Sequence, residues 1–179
     1  MTQVAMTYGQ ALYALAKEEK LEKQILQELD VLQQAFAQEP AFLQLLSAPS
    51  LSKAERCVIL DESFRDKVHL YLLNFLKILT ERGYAKCFSD CCKAYRQMYN
   101  EDNGILPVEA VTAVALTQEQ FVRLQEKLEK LTGKTVELTN RVDPAVLGGV
   151  RLDYDGKRVD GTVSSRLDTI RDLLKNTVL

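Results

Sequence analysis

The chain has 179 residues, 46% of them hydrophobic and 27% charged, with a net charge of −2. That composition supports one or two packed, soluble domains. Lys and Arg number 12 against 14 Asp and Glu before Gly104, and 11 against 11 from there on. Neither half offers the basic surface that neutralises phosphates, which argues against a nucleic-acid partner.

The most apolar run, residues 70–79, is too short for a bilayer and contains Asn74 and Lys77. The N-terminus lacks the basic region and apolar core of a secretory signal and is not an Arg-rich transit peptide. A cytosol-like compartment is the expectation. Three of the four cysteines (Cys87, Cys91 and Cys92) are clustered, which is not the layout of a disulfide scaffold.

The first half reads as helical. It holds only Gly9 and Gly83, against six glycines from Gly104 onward. A first helix is expected over 4–16, with a stripe of Ala5, Tyr8, Leu12 and Leu15 and small residues around it. Such a surface lets another helix come close. A second helix after Lys20 carries Leu21, Ile25, Leu29, Leu32 and Phe36 at three- and four-residue spacing. Pro40 suits the first turn of a short third helix with Phe42, Leu45 and Leu46. Ser52 and Glu55 form a capping box that opens a fourth, running to about Phe64. The fifth, over 67–82, is apolar on most sides and should be the middle of a bundle; Gly83 stops it. A sixth, over 84–99, shows Phe88, Cys91, Tyr95 and Met98. The polar stretch 100–104 reads as a domain boundary.

The second half changes period. Residues 105–116 read as a strand. Thr117 and Gln120 form another capping box, opening a helix with Phe121, Leu124, Leu128 and Leu131 inward and Gly133 at its end. Val136 and Leu138 alternate with polar residues in a second strand that lasts until Asp143-Pro144. Gly148-Gly149 precedes a third, where Val150, Leu152 and Tyr154 alternate with Arg151 and Asp153. Asp155-Gly156 is a tight hairpin turn into a return strand, 157–160. After Gly161, Val163, Leu167, Ile170 and Leu174 make one helical stripe. The expected fold is therefore α plus α+β: an N-terminal six-helix bundle, 1–104, then a small β-α-β-β-β-α domain, 105–179.

Chemistry-bearing patterns are weak. Gly133-Lys134-Thr135 resembles the end of a phosphate loop, but Leu128 stands where glycine is required. A helix also precedes it and a strand follows, the reverse of the phosphate-loop order. A calcium loop starting at Asp153 fails at Lys157, Arg158 and Ser164. Asp160 is better read as a residue bonding amides near the start of the last helix. Cys87 and Cys91 share a helical face, yet the only histidine, His69, lies on another helix, so core packing is the better reading. No cofactor or metal is expected. Elimination favours a binding or structural protein over an enzyme.

Several segments resemble the delta subunit family of F-type ATP synthase, whose mitochondrial counterpart is the oligomycin-sensitivity-conferring protein. They are YGQALYALA at 8–16, LLSAPSLSKAER at 45–56, NFLKILTERG at 74–83, and VDPAVLGGVRL with DGTVSSRL across 142–167. In the last, Gly148, Gly149, Asp160 and Gly161 are the structural signature, with Thr162 where serine is usual. Tyr84 stands where the family commonly has a basic residue.

The resemblance implies a non-catalytic stator subunit that couples proton-driven rotation to ATP synthesis. It implies an N-terminal bundle that holds the N-terminal helix of a catalytic-head alpha subunit, with Tyr8, Ala11, Ile25 and Ile78 lining the groove. The C-terminal domain would meet the peripheral-stalk b subunits. The protein would lie on the cytoplasmic side of the inner membrane, touching the membrane only through the complex.

Overall fold

A computed structural model describes residues 2–48, 51–146 and 148–161. Contacts divide the chain into two compact units, Met1–Tyr99 and Asn100–Leu179.

The first unit is helical: α1 (Gln3–Glu18), α2 (Glu22–Gln38), α3 (Pro40–Leu46), α4 (Lys53–Phe64), α5 (Leu70–Glu81), and a 3-10 turn (Ala85–Cys87) that leads into α6 (Phe88–Asp102). Local chemistry sets the helix ends. The Thr2 side chain accepts the Ala5 amide at the start of α1, and Ser52 with Glu55 closes both bonds of the capping box on α4. At the end of α5, Gly83 takes φ of 78°. Its N–H donates to the Thr80 carbonyl at 3.1 Å, and the Tyr84 N–H donates to Leu79 at 2.7 Å. This is the paired closure that a left-handed residue permits.

The core is continuous and apolar. Ile25, Leu29, Leu32 and Phe36 of α2 meet Leu72, Leu76 and Leu79 of α5 and Phe88 and Tyr95 of α6. Phe36 is the aromatic hub, stacked on Phe42 at 5.6 Å and edge-on to Phe88 at 5.0 Å. Tyr95 is fully buried and donates its hydroxyl to the Glu22 carbonyl at 2.9 Å. A Cβ at Gly9 would lie 2.6 Å from the Cys91 carbonyl oxygen and 2.7 Å from Ala94 Cβ. Only glycine lets α1 and α6 approach that closely.

Several expectations shift. The buried face of α1 is Ala5, Gly9, Leu12, Tyr13 and Ala16, while Leu15 is exposed. On α3, Leu46 is buried and Leu45 is exposed. Helix α5 begins at Leu70, because His69 is its N-cap: the imidazole Nδ1 accepts the Tyr71 amide at 3.3 Å. The His69 N–H donates to Glu28 at 2.7 Å. Helix α6 continues to Asp102, and Asn100, expected in a polar turn, is buried within it.

The second unit contains β1 (Ile105–Thr112), α7 (Gln118–Thr132), β2 (Thr135–Val142), β3 (Val150–Tyr154) and β4 (Lys157–Asp160). The sheet order is β2-β1-β3-β4, with β1 and β2 parallel and the other pairs antiparallel. A parallel pair needs a crossover, and α7 supplies it. Val108, Ala110, Val136 and Leu138 are buried on the face shared with Leu116, Phe121, Leu124 and Leu128.

Strand β1 stops at Thr112 rather than Leu116. The Leu116 amide instead donates to the Asn140 side chain at 2.9 Å. Leu131, expected to face inward, is 75% exposed. Gly133 is the left-handed cap of α7, with φ of 67°, so its Lys-Thr neighbours continue into a strand rather than a phosphate loop. The expected final helix lies outside the described residues.

Candidate partner-binding site

Helix α1 carries more apolar surface than its core contact uses. Besides the buried face, Val4, Tyr8, Ala11 and Leu15 follow one another at i, i+4, i+7 and i+11 along a flank. Val4 and Tyr8 are half-buried, Ala11 is exposed and Leu15 is 37% exposed. Tyr8 packs against the core from one side. Its ring also meets the ring of Tyr84, just beyond α5, with centroids 6.0 Å apart and planes at 51°. On α5 itself, Ile78 is 46% exposed, and α1 and α5 are in contact. An amphipathic helix normally spends its apolar residues on one stripe. Two stripes on α1 leave one available to a partner.

The four residues expected to line this site do not share one environment. Tyr8, Ala11 and Ile78 have accessible surface. Ile25 has none: it is 0% exposed, enclosed among the buried residues of the core. Its sequence spacing placed it on an apolar stripe, and that stripe turns inward. Ile25 therefore presents no surface of its own to a partner in this structure. Tyr84 was not among the expected lining residues. The available signal was its position immediately after the helix-terminating Gly83.

The signature residues sit around the β3–β4 hairpin. Gly148 and Gly149, with φ of 150° and 83°, lead into β3. Asp160 ends β4 opposite Arg151, and the Gly161 N–H donates to the Val150 carbonyl at 3.1 Å. The two glycines set the chain's entry into β3, and the Gly161 bond closes the open end of the hairpin. The helix start that Asp160 was expected to cap lies outside the described residues.

Nothing in the described residues resembles a catalytic arrangement. No group of three or more His, Cys, Asp or Glu is placed to hold a metal ion among them. Cys91 and Cys92 are buried, and burial pushes the Cys91 thiol up to about 12 and raises that of Cys92 as well. Protonated, enclosed thiols are poor nucleophiles and poor metal ligands. A cavity of about 710 Å³ over the outer face of the sheet is lined by Glu109, Glu137, Thr139, Asp153 and Arg158, among others. Glu109 there is paired with Arg141, and Asp153 with Arg151 and Arg158.

Residues 4–174 match the sequence profile of the family described as ATP synthase delta (OSCP) subunit. ATP synthase subunit delta of Alkaliphilus oremlandii is 32% identical over 176 residues, covering 98% of this chain and 98% of the relative. The same subunit of Lactobacillus acidophilus is 34% identical over 173 residues, covering 94% and 93%. Among solved structures, a chain of the Toxoplasma gondii mitochondrial ATP synthase hexamer is similar in fold. Its TM-score is 0.77 at 18% identity, with 97% of this chain and 98% of that chain covered.

Proposed function

The chain belongs to the ATP synthase delta (OSCP) subunit family, and from that membership we propose how its parts serve the stator. As a delta subunit it is a non-catalytic component of the peripheral stalk of F-type ATP synthase. The stalk holds the catalytic head against the torque of the rotor, so that proton-driven rotation is spent on ATP synthesis.

In this reading residues 1–104 form a six-helix bundle that grips the head, and residues 105–179 face the stalk. The bundle takes the amphipathic N-terminal helix of an alpha subunit, laid against the open flank of α1 and the outward side of α5. Tyr8, Ala11 and Ile78 touch it, with Ile25 behind them. The small C-terminal unit meets the stalk b subunits. No described helix is long and apolar enough to cross a membrane. The protein is held at the cytoplasmic side of the inner membrane through the complex.

The observation that carries the head contact is the second apolar stripe on α1. A helix laid in a groove is read through anchors at this spacing, and the stripe runs about 16 Å, three turns of helix. Two measurements test the reading. Synthase stripped of this subunit should regain proton-coupled ATP synthesis when the purified chain is added; no recovery would sink the stator assignment. Tyr8→Asp should weaken binding of a synthetic alpha-subunit N-terminal peptide by at least about tenfold in titration calorimetry, since it places a charge in an apolar contact. Unchanged affinity removes Tyr8 from the site.

A further inference from the structure

We infer that Tyr84 is a specificity-determining residue of the helix-binding site. With Tyr8 it forms an aromatic end wall that accepts an uncharged, apolar side chain of the bound helix and rejects a carboxylate there. This rests on the helix-binding reading above.

The backbone at Tyr84 is fixed independently of its ring. Gly83 turns the chain out of α5, and the Tyr84 N–H is tied to the Leu79 carbonyl at 2.7 Å. The next residue, Ala85, is buried and anchors the chain again. The ring therefore leaves a rigid stem, yet it stays 38% exposed and is not needed to fill the core. Its ring partner is Tyr8, at a centroid distance of 6.0 Å. Two rings tilted at 51° present a notch of ring faces and edges rather than a closed stack. Large aromatics with few rotatable bonds lose little entropy on binding, which is why they anchor interfaces.

The chemistry of the wall decides what fits. Tyr8, Ala11, Leu15, Ile78 and Tyr84 are all uncharged. A methyl or ring of the partner gains contact area against them. A carboxylate pressed against the same surface loses water and finds no cation among these five, a cost that works as discrimination. Leu15 lies about two turns from Tyr8 at the C-terminal end of the flank, and only Val4 lies beyond Tyr8 on the other side. Tyr84 thus distinguishes one end of the site from the other and helps set the register of the bound helix.

The test uses the full chain and a synthetic peptide spanning the N-terminal helix of the alpha subunit. Each apolar position of the peptide is replaced in turn by glutamate, and affinity is measured by calorimetry. Tyr84→Ala should bind the parent peptide about tenfold more weakly, and Tyr84→Phe should bind it as the wild type does. One glutamate peptide should be recovered at least about tenfold by Tyr84→Arg, through a new ion pair at that position only. An unaltered thermal midpoint for Tyr84→Ala ties its loss to the contact. If that variant does not fold, the Tyr84→Arg recovery decides alone.

If Tyr84→Ala binds the parent peptide normally while Tyr8→Asp does not, the role of Tyr84 is overturned and the helix-binding reading stands. Failure of Tyr84→Arg to recover any glutamate peptide also overturns it. If the wild-type chain binds no peptide, the helix-binding reading falls and the role of Tyr84 falls with it.

Discussion

The two units solve the same problem, satisfying a buried backbone, with different materials. In the helical unit each backbone bond closes within its own helix, so side chains are free to make an apolar interior reaching from Ala5 to Tyr95. The sheet unit buries only Val108, Ala110, Val136 and Leu138 in its cluster, rimmed by half-buried residues. It compensates with polar side chains aimed at backbone. Asn140 donates to the Ala110 carbonyl and the Thr112 hydroxyl, each at 2.9 Å, and accepts the Leu116 amide. On the edge strand β2, Val136 has its carbonyl bonded by Gln125 at 2.9 Å and its N–H by Glu129 at 3.1 Å. Two α7 side chains there serve backbone groups that no neighbouring strand among the described residues reaches. The contrast bears on the proposed helix contact. The helical unit leaves a continuous stripe of apolar surface open along α1, whereas the exposed apolar residues of the sheet unit, Val114, Leu131 and Val159 among them, are spread over different segments.

The sharpest way to break this contrast is to cut the helical core. Ile25→Ala should destabilise the protein by about 3 kcal/mol, the usual cost of a cavity at a fully buried aliphatic side chain. The chain has no tryptophan, so urea unfolding is followed by circular dichroism. The same variant separates support from contact. Measured under conditions where it is folded, it should bind the alpha-subunit peptide within about twofold of the wild type, because a buried residue acts through stability. A large affinity loss with little change in stability would return Ile25 to the partner surface.

The matching cut in the sheet unit is polar. Asn140→Ala should cost about 2 kcal/mol, since it removes three hydrogen bonds and leaves partly buried groups unpaired. Its local signature is faster hydrogen exchange at the Leu116 amide, whose acceptor is gone. A loss below about 0.5 kcal/mol, within the range of an ordinary surface substitution, would show that the small apolar cluster holds the sheet alone.

What the sequence made legible follows from the range of each signal. Caps and turns are local, so Ser52, Thr117, Gly83, Gly133 and Asp155-Gly156 mark their elements correctly. The strand-helix-strand order is likewise written in changes of period. Which side of an apolar helix faces inward depends on neighbours distant in sequence. Gly9 belongs to the core because α6 passes over it, and no count of hydrophobicity along α1 reveals that. For the same reason Ile25, placed in the groove by the family resemblance, could not be known from its spacing along α2 to be fully enclosed. Tyr84 was hidden differently: its role comes from a ring contact with Tyr8, seventy-six positions earlier in the chain. His69 is a further case. Its place beside an apolar run suggests a helical residue, whereas its imidazole does the capping work of a serine or aspartate.

The smallest expected effect lies in the hairpin of the sheet unit and has a definite sign in pH. Asp153 sits opposite Arg158 across β3 and β4, accepts its Nε at 2.8 Å, and also accepts Arg151 at 3.3 Å. The bond from Arg158 is the main reason its carboxyl is held below the ordinary aspartate range. A depressed folded value means that the unfolded chain takes up the proton first as pH falls. The pair therefore contributes stability above the ordinary aspartate value of about 3.9. That contribution is lost as pH drops through the lower folded value. Asp153→Asn should flatten this part of the acid limb of thermal stability: its loss is present in full near neutral pH and vanishes at low pH, and it is small because an exposed pair is screened by solvent and salt. The difference between the two proteins should shrink in high salt. An unchanged acid limb would assign the stability of the hairpin to its turn and to the Gly161 closure instead.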